Sequence, residues 1–255
     1  MAASAGSWLM SLVESGSGVP GAGRVTLVCC PYAGAAPTAF LPLARALADQ
    51  GPWPGLRVLA AQLPGRGRRI REAPARSLDA LAGPLAGALA AEEGPLVLYG
   101  HSMGALLAYA VARTVRPAHL VVSGSRPPGV RGAGEPWHLR SDEELVAGMV
   151  RLGASAAPFD DPGIRALALP VLRADLRATE LWDPEPGPPL ASPVTAVAGA
   201  RDAEAPPGAV SGWSRLTGGA YRQEELDGGH FLLEECLPEL AGVLGGVIRR
   251  TAPAR

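Results

Sequence analysis

The stretch from residue 96 to residue 115, LVLYGHSMGALLAYAVARTV, constrains the fold more than any other part of the chain. Its first four residues form an apolar run that is typical of a buried strand, and ALLAYAVARTV has the length and apolar content of a packed helix. The two are joined by GHSMG, which fits the pattern Gly-x-Ser-x-Gly. Because such a short turn lifts its serine above the edge of a sheet, the stretch predicts an α/β fold with Ser102 held at a strand end.

Near-continuous apolar runs of strand length recur along the 255 residues, and helical candidates lie between them. Such runs are typical of parallel strands that are covered on both faces. The alternation predicts one α/β domain over 1–255, with a mostly parallel central sheet flanked by helices. The predicted strands are 25–30, 56–63, 96–100, 119–124, 194–199 and 221–226, and the predicted helices are 39–50, 77–93, 105–115 and 235–250.

The segment from about 126 to 190 breaks this alternation. It contains two helical candidates, 142–153 and 163–182, then a proline-rich connector, and it has no run typical of a strand. It is therefore predicted to be a helical insertion between two strands. Six of its residues are more apolar than a solvated cap needs, so some of them are expected to line a pocket: Met149, Leu152, Leu167, Leu169, Val171 and Leu172. Outside the insertion, Trp8 and Leu9 are expected to dock on the sheet edge.

Composition excludes several classes of partner. The formal net charge of −1 provides no field that would attract nucleic acid or an anionic membrane. No apolar run reaches the roughly 18 residues of a membrane span. The three cysteines, Cys29, Cys30 and Cys236, follow no metal-binding spacing, and the N-terminus lacks the basic and apolar regions of a signal peptide. We therefore expect a cytoplasmic protein without a metal or cofactor.

A serine becomes a nucleophile only beside a base, and the chain offers four histidines. His101 lies within the turn itself, His119 begins a strand, and His138 lies in the insertion. His230 follows the last predicted strand in DGGHFLLEE, where two glycines provide a flexible loop that reaches Ser102. These positions favour His230 as the general base over a packing role.

The acid that orients the base is expected at the end of a strand between Ser102 and His230. Asp202 follows the strand 194–199 directly, and Glu204 is its nearest rival; a capping role is the structural alternative for Asp202. The other aspartates considered fit less well, because two belong to the insertion and one is too close to the base: Asp175, Asp183 and Asp227.

Two backbone amides are expected to bind an oxyanion. The amide of Met103 lies at the start of the helix that follows Ser102, where the helix dipole adds partial positive charge. The second donor is expected in the loop after the first predicted strand, which offers Tyr32, Ala33, Gly34 and Ala35; Ala33 is favoured.

Six stretches, taken together and in order, resemble the type II thioesterases of polyketide and nonribosomal peptide synthesis: PYAGAAPTAF, QLPGRGRRIREAP, GHSMGALLAYAVAR, RADLRATELW, PVTAVAGARD and DGGHFLLEE. The resemblance implies an α/β-hydrolase fold with a mobile helical lid. It implies hydrolysis of stalled or misprimed acyl groups from the phosphopantetheine arm of acyl or peptidyl carrier proteins. It also implies a triad of Ser102, Asp202 and His230.

The chain departs from this family at two places. Gly34 is followed by Ala35 and Ala36, where the family more often has two glycines after PYA, and Trp182 stands where the family often has tyrosine. Two other functions stay open: a small-ester carboxylesterase of the same fold, and a non-catalytic homologue that only binds ligand.

Five arginines are packed into one loop: Arg66, Arg68, Arg69, Arg71 and Arg76. One interpretation is a landing site for an acidic carrier protein or for the phosphate of its arm. A solvated basic loop, with one arginine held structurally, is favoured over it.

Overall fold

The computed structural model describes residues 8–15, 24–51, 53, 55–132 and 134–252. Seven strands form one sheet, and the longer helices pack on its faces or lie in the insertion. The strands are β1 (Leu9–Ser15), β2 (Val25–Cys30), β3 (Leu56–Ala61), β4 (Leu96–His101), β5 (His119–Ser123), β6 (Val194–Gly199) and β7 (Tyr221–Leu226). The helices are α1 (Leu41–Asp49), α2 (Leu78–Leu89), α3 (Met103–Val115), α4 (Asp142–Arg151), α5 (Ala157–Asp160), α6 (Pro162–Glu180), α7 (Pro207–Val210), α8 (Leu232–Glu235) and α9 (Leu237–Thr251).

The strand order is β1-β3-β2-β4-β5-β6-β7, and every neighbouring pair is parallel except β1 with β3. The carboxyl ends of six strands therefore meet at one edge of the sheet, which is where open α/β sheets place their sites. A parallel sheet of this order, with a strand–turn–helix at β4–α3, is the predicted α/β-hydrolase fold.

The sheet is covered on both faces, as the unbroken apolar runs predict. Every residue of β2 and of β6 is buried. One apolar layer joins the sheet to α2 and α3 through residues such as Leu85 and Leu107. The other joins it to α1 and α9 through residues such as Leu43 and Leu244. The turn between β4 and α3 therefore lies at the edge of a sheet that has packed apolar side chains on both faces.

The first strand, β1, was not predicted. Its serines and glutamate interrupt the apolar pattern, and it pairs at the sheet edge with a register shift between Ser11 and Val13. The expected docking of Trp8 and Leu9 on the sheet edge is confirmed: Trp8 is buried, and Leu9 pairs with Ala61 as part of a strand.

The segment between β5 and β6 has no strand in the part that the structure describes, and it contains α4, α5 and α6. Both main helices have local start signals. Ser141 and Glu144 form a reciprocal capping box at the start of α4, and Asp161 accepts a hydrogen bond from the amide of Ile164 at the start of α6. The apolar side chains of α4 and α6 form a small cluster around Leu145 and Leu169. These helices lie within the predicted insertion of about 126–190, and we keep that name for it.

Candidate active site

Ser102 lies between the last residue of β4 and the first residue of α3. Its φ of 54° and ψ of −120° are rarely adopted by a residue other than glycine. Its amide donates to the carbonyl oxygen of Ser123 on the neighbouring strand at 2.9 Å, which ties the strained turn to the sheet. Strain of this kind persists only where the surroundings impose it, and it is common at functional residues.

The two glycines of GHSMG are required by the backbone packing at this turn. A Cβ atom on Gly100 would lie 2.0 Å from the carbonyl oxygen of Gly104. A Cβ atom on Gly104 would lie 2.0 Å from the carbonyl oxygen of Cys30 on β2. Both collisions are with main chain, which has no rotamer to change. The pattern in the sequence therefore reflects the close approach of α3 to the sheet.

The structure brings together the three side chains that the sequence predicts as a triad. Nε2 of His230 lies 3.2 Å from Oγ of Ser102, and Nδ1 of His230 lies 2.9 Å from Oδ2 of Asp202. The second carboxylate oxygen of Asp202 accepts from the amides of Glu204 at 2.9 Å and Ala205 at 3.1 Å. With Asp202 ionised, its carboxylate holds the proton of His230 on Nδ1 and leaves Nε2 free to accept from the serine.

The environment of Asp202 favours the ionised form. Burial raises the pKa of this carboxyl, but the hydrogen bond and the charge of His230, together with the amides of Ala205 and Glu204, outweigh burial and hold the pKa below its usual value. The expected rival, Glu204, takes another position: its side chain lies 3.4 Å from the indole nitrogen of Trp137.

The two glycines before His230 were expected to make its loop flexible, but in the structure they allow close packing against α8 and the residue after it. A Cβ atom on Gly228 would lie 2.6 Å from Sγ of Cys236, and the amide of Gly229 donates to Glu235 at 2.9 Å. The amide of Arg201 donates to the carbonyl oxygen of Gly228, also at 2.9 Å. The loop that carries His230 is thus bonded to the loop that carries Asp202.

The other three histidines are engaged elsewhere. His101 is fully buried, its Nδ1 lies 2.9 Å from Oγ of Ser123, and burial, followed by the charge of His230, lowers its pKa to about 3. His119 contacts Oγ1 of Thr195 at 2.9 Å in the sheet. His138 contacts Glu180 within the insertion at 2.5 Å.

The loop after β2 contains a turn in which two of the four candidate amides are already used. The amide of Ala35 donates to the carbonyl oxygen of Tyr32 at 3.0 Å, and the amide of Gly34 donates to Oδ2 of Asp175 at 2.8 Å. Among the residues that the structure describes, the amides of Tyr32, Ala33 and Met103 have no protein acceptor. All three residues line the same cavity as Ser102, so Ala33 stays the predicted partner of Met103, with Tyr32 as the alternative.

A cavity of about 260 Å³ opens over Ser102 and His230 and is roofed by the insertion. Of the six apolar residues expected to contribute, Met149 and Leu152 line it. The others do not: Leu169 and Leu172 pack in the cluster of the insertion, Val171 is buried, and Leu167 is exposed.

Two tryptophan side chains contribute to the wall of this cavity. Trp182 lines it while its ring packs edge-on against Tyr109 and its indole nitrogen donates to Asp79 at 3.1 Å. Trp137 lines it from the insertion, with the guanidinium of Arg140 stacked 3.6 Å above the ring centre. Trp182, one of the two places at which the chain departs from the type II thioesterases that it resembles, therefore faces the site.

In the loop with five arginines, two are buried and paired, whereas the sequence favoured a solvated loop with one arginine held structurally. Arg66 pairs with Asp175. Arg69 pairs with Glu72, donates to the carbonyl oxygen of Gln62 and stacks over Trp8. Arg68, Arg71 and Arg76 are exposed.

Within residues 8–15, 24–51, 53, 55–132 and 134–252, no group of three acidic, histidine or cysteine side chains has an arrangement that would hold a metal ion. The three cysteines are free and buried, and burial raises the pKa of Cys30 to about 12, so its thiol is protonated and packs as an apolar group. No helix in the described part of the chain is both long and apolar enough to span a membrane.

The model of one protein family, described as "Thioesterase domain", matches residues 25–246. The chain belongs to the thioesterase domain family. A curated relative, thioesterase PikA5 of Streptomyces venezuelae, is 34% identical over 240 residues, which are 90% of this chain and 83% of that protein.

Two solved thioesterases have similar structures. One is the RedJ thioesterase of the prodiginine pathway of Streptomyces coelicolor, with 38% identity and a TM-score of 0.78 over 89% of this chain and 94% of that one. The other is the type II thioesterase BorB of the borrelidin biosynthetic cluster, with 36% identity and a TM-score of 0.83 over 95% and 98% of the two chains. The predicted resemblance to type II thioesterases is confirmed.

Proposed function

We propose that this thioesterase hydrolyses acyl groups from the phosphopantetheine arm of acyl or peptidyl carrier proteins in polyketide or nonribosomal peptide synthesis. It would release stalled or misprimed groups, acting as a single domain in which residues from about 126 to 190 form a lid. RedJ is named as a thioesterase of the prodiginine biosynthetic pathway and BorB as a type II thioesterase of the borrelidin biosynthetic cluster, and the chain is similar to both over most of its length.

The observation that carries the proposal is the alignment of three side chains at the floor of the roofed cavity. Ser102, His230 and Asp202 form one continuous hydrogen-bonded row. A hydroxyl in this arrangement is activated by its neighbour, whereas a serine in an ordinary glycine-rich turn has no base beside it.

The first half of the reaction transfers the acyl group to the enzyme. Nε2 of His230 takes the proton of Ser102 while Oγ bonds to the thioester carbonyl carbon, and the amides of Met103 and Ala33 stabilise the oxyanion. The carbon–sulfur bond then breaks, and the pantetheine thiol leaves with the proton from His230. Asp202 stays ionised throughout and stabilises the imidazolium.

The second half releases the acyl group to water. His230 takes a proton from a water molecule, whose oxygen bonds to the acyl carbon, and the same amides stabilise the second oxyanion. The ester bond to Ser102 breaks, the serine regains its proton from His230, and the carboxylic acid departs. The lid would shield the acyl-enzyme from bulk solvent between the two halves.

The test is mass spectrometry of carrier proteins loaded with a panel of acyl groups, incubated with the wild type and with the S102A variant. Loss of the acyl mass with return of the free thiol, in the wild type alone, is the expected result. A parallel assay on acyl-thiol mimics and on oxygen esters separates the alternatives. Strong hydrolysis of oxygen esters without carrier-protein turnover would indicate a carboxylesterase, and equal rates for wild type and S102A would indicate a binding protein.

A further inference from the structure

A buried ion pair links the insertion to the arginine loop. Arg66 and Asp175 are 109 positions apart, yet Nη1 and Nη2 of the guanidinium lie 2.5 Å and 2.8 Å from the two carboxylate oxygens. The two side chains are only 6% and 1% exposed. A buried ion pair contributes little net stability, because desolvation opposes the attraction between the charges. What this ion pair holds in place therefore matters more than its own contribution to the free energy of unfolding.

The same carboxylate also holds the loop that contains the expected oxyanion donor. Oδ2 of Asp175, the oxygen nearer to Arg66, accepts the amide hydrogen of Gly34 at 2.8 Å. Gly34 has a φ of 78°, the value that a type II turn requires at its third residue. Leu172, one helical turn before Asp175 on α6, lies where a Cβ atom on Gly34 would contact it at 3.4 Å. Helix α6 thus contacts this turn through two side chains.

The hydrogen bonds of the turn fix the direction of the Ala33 amide. The carbonyl oxygen of Tyr32 accepts from Ala35, and a trans peptide directs the amide hydrogen of Ala33 the opposite way. The next peptide, between Ala33 and Gly34, has no backbone partner for its amide and is held by Asp175 instead. Without that acceptor the central peptide is free to rotate, as it does when a type II turn converts to type I. The rotation turns the carbonyl oxygen of Ala33 and the amide of Gly34 and releases the turn from α6, so the position of the Ala33 amide over Ser102 is no longer held from that side.

We propose that Asp175, held in place by Arg66, is a positioning residue that seats the turn carrying the second oxyanion donor, Ala33, and couples helix α6 of the insertion to the chemistry at Ser102. This inference rests on the proposed function, since it assigns a role within the same site. Asp175 touches neither the acyl group nor the reacting atoms. A displacement of α6 carries this carboxylate with it, so the oxyanion site is complete only when α6 is seated on the turn.

The experiment removes the acceptor without leaving an unpaired buried charge. The double variant Arg66→Met/Asp175→Leu replaces the ion pair by apolar side chains, a change that is often neutral for stability. The double variant Arg66→Met/Asp175→Asn also removes both charges but keeps a carbonyl oxygen that can accept from Gly34. Arg165→Met is the matched control, because Arg165 lies on the same helix and forms an exposed ion pair with Glu143 at 3.1 Å, at the end of α6 away from Asp175.

The readouts are kcat and KM for a p-nitrophenyl ester and for an acyl thioester, and the affinity for an alkyl boronic acid. A boronate bound to Ser102 places an oxygen in the oxyanion site, so it reports that site without turnover. For Arg66→Met/Asp175→Leu we expect kcat to fall about 10- to 100-fold with KM changed less than about 3-fold, since loss of a whole oxyanion donor lowers kcat about 10²- to 10³-fold. Boronate affinity is expected to fall in parallel. The asparagine variant is expected to regain most of the loss, and Arg165→Met is expected to match the wild type.

Two results would overturn the inference. One is a folded Arg66→Met/Asp175→Leu variant whose kcat and boronate affinity equal those of the wild type. The other is an equal loss in the leucine and asparagine variants, which would assign the effect to the ion pair and not to the acceptor. Failure of the proposed function can be told apart from failure of this inference. If the wild type were inactive on every thioester, its rates on the p-nitrophenyl ester and its boronate affinity would still report the oxyanion site. The hydrogen-exchange rate of the Gly34 amide, measured by NMR, would still report the hydrogen bond to position 175. That amide is expected to exchange faster in the leucine variant than in the asparagine variant.

Discussion

The two sides of the candidate site are held in place by different means. On one side, which we call the strand-end half, Ser102, Asp202 and His230 follow the ends of β4, β6 and β7 and are fixed by main-chain contacts with the sheet. On the other, which we call the turn half, the Ala33–Gly34 turn is held by one carboxylate from the insertion. Backbone packing tolerates little displacement, whereas a single side-chain acceptor moves with its helix. The strand-end half is therefore expected to be rigid and the turn half adjustable.

The largest expected effect is the loss of the nucleophile from the strand-end half. The S102A variant is expected to lose about 10⁴- to 10⁶-fold in kcat, as in other enzymes whose serine is activated by histidine. Because φ at this position is 54°, S102G is expected to be equally inactive but more stable than S102A by roughly 1–2 kcal/mol, through relief of backbone strain. Urea unfolding of both variants measures the difference. Equal stability of the two would mean that the sheet does not impose strain at Ser102.

The next effect concerns which carboxylate orients His230. D202N is expected to lower kcat/KM about 10³- to 10⁴-fold, because the amide disfavours the tautomer that leaves Nε2 free. E204Q is the matched control: its side chain contacts Trp137, and only its backbone amide reaches Asp202. We expect E204Q to stay within about 3-fold of the wild type, since the mutation leaves that amide in place. The opposite ranking of the two variants would transfer the orienting role to Glu204.

A pair of glycine substitutions compares the strand-end half with the insertion, which holds the turn half. G104A introduces a collision with main chain at 2.0 Å, so a loss of about 3 kcal/mol or more, or failure to fold, is expected. G148A in α4 introduces a Cβ atom at the same distance, but from the ring of Trp137. That ring can change rotamer, and alanine favours a helix over glycine by about 1 kcal/mol.

The G148A variant is therefore expected to fold with a loss of at most about 1–2 kcal/mol, since rotamer strain is partly offset by helix propensity. Because Trp137 lines the cavity, KM for acyl substrates is expected to change several-fold while kcat changes less. Thermal unfolding and steady-state kinetics measure both effects. A G148A variant as unstable as G104A would show that the insertion is no more adjustable than the sheet.

The strand-end half was predictable from sequence because its signals are local. The pattern around Ser102 is confined to five residues between a strand and a helix. Asp202 follows the apolar run of β6, His230 follows the more polar strand β7, and both strands end at the same sheet edge. Parallel pairing then brings these ends together, without knowledge of any side-chain contact. The catalytic roles of these residues stay predictions until the variants above are measured.

The turn half was not predictable in the same way. Asp175 was set aside as a member of the insertion, and Arg66 was one of five arginines with nothing to distinguish it. Their pairing spans 109 positions, and no periodicity or spacing connects them. The strand β1 was missed for a related reason, since an edge strand with polar residues has a weak pattern and is defined by its partner, β3.

Per pH unit and per histidine, the smallest expected effect is on stability at mild acidity, and it arises in the sheet beneath the strand-end half. Burial, followed by charges nearby, lowers the pKa of His101 to about 3 and that of His119 to about 4, from 6.5. Between about pH 6.5 and about pH 4 the unfolded chain therefore binds protons that the folded chain does not, and the free energy of unfolding falls as pH falls, by at most about 1.4 kcal/mol per pH unit for each histidine. Asp202, whose pKa is lowered from 3.8, acts only below this window. H119Q, distant from Ser102, is expected to lose about half of the slope contributed by the two histidines in urea unfolding measured across the window. If H119Q did not change the pH dependence of the free energy of unfolding, His119 would have to be protonated in the folded sheet. The sheet would then be packed less tightly at this strand than a rigid strand-end half requires.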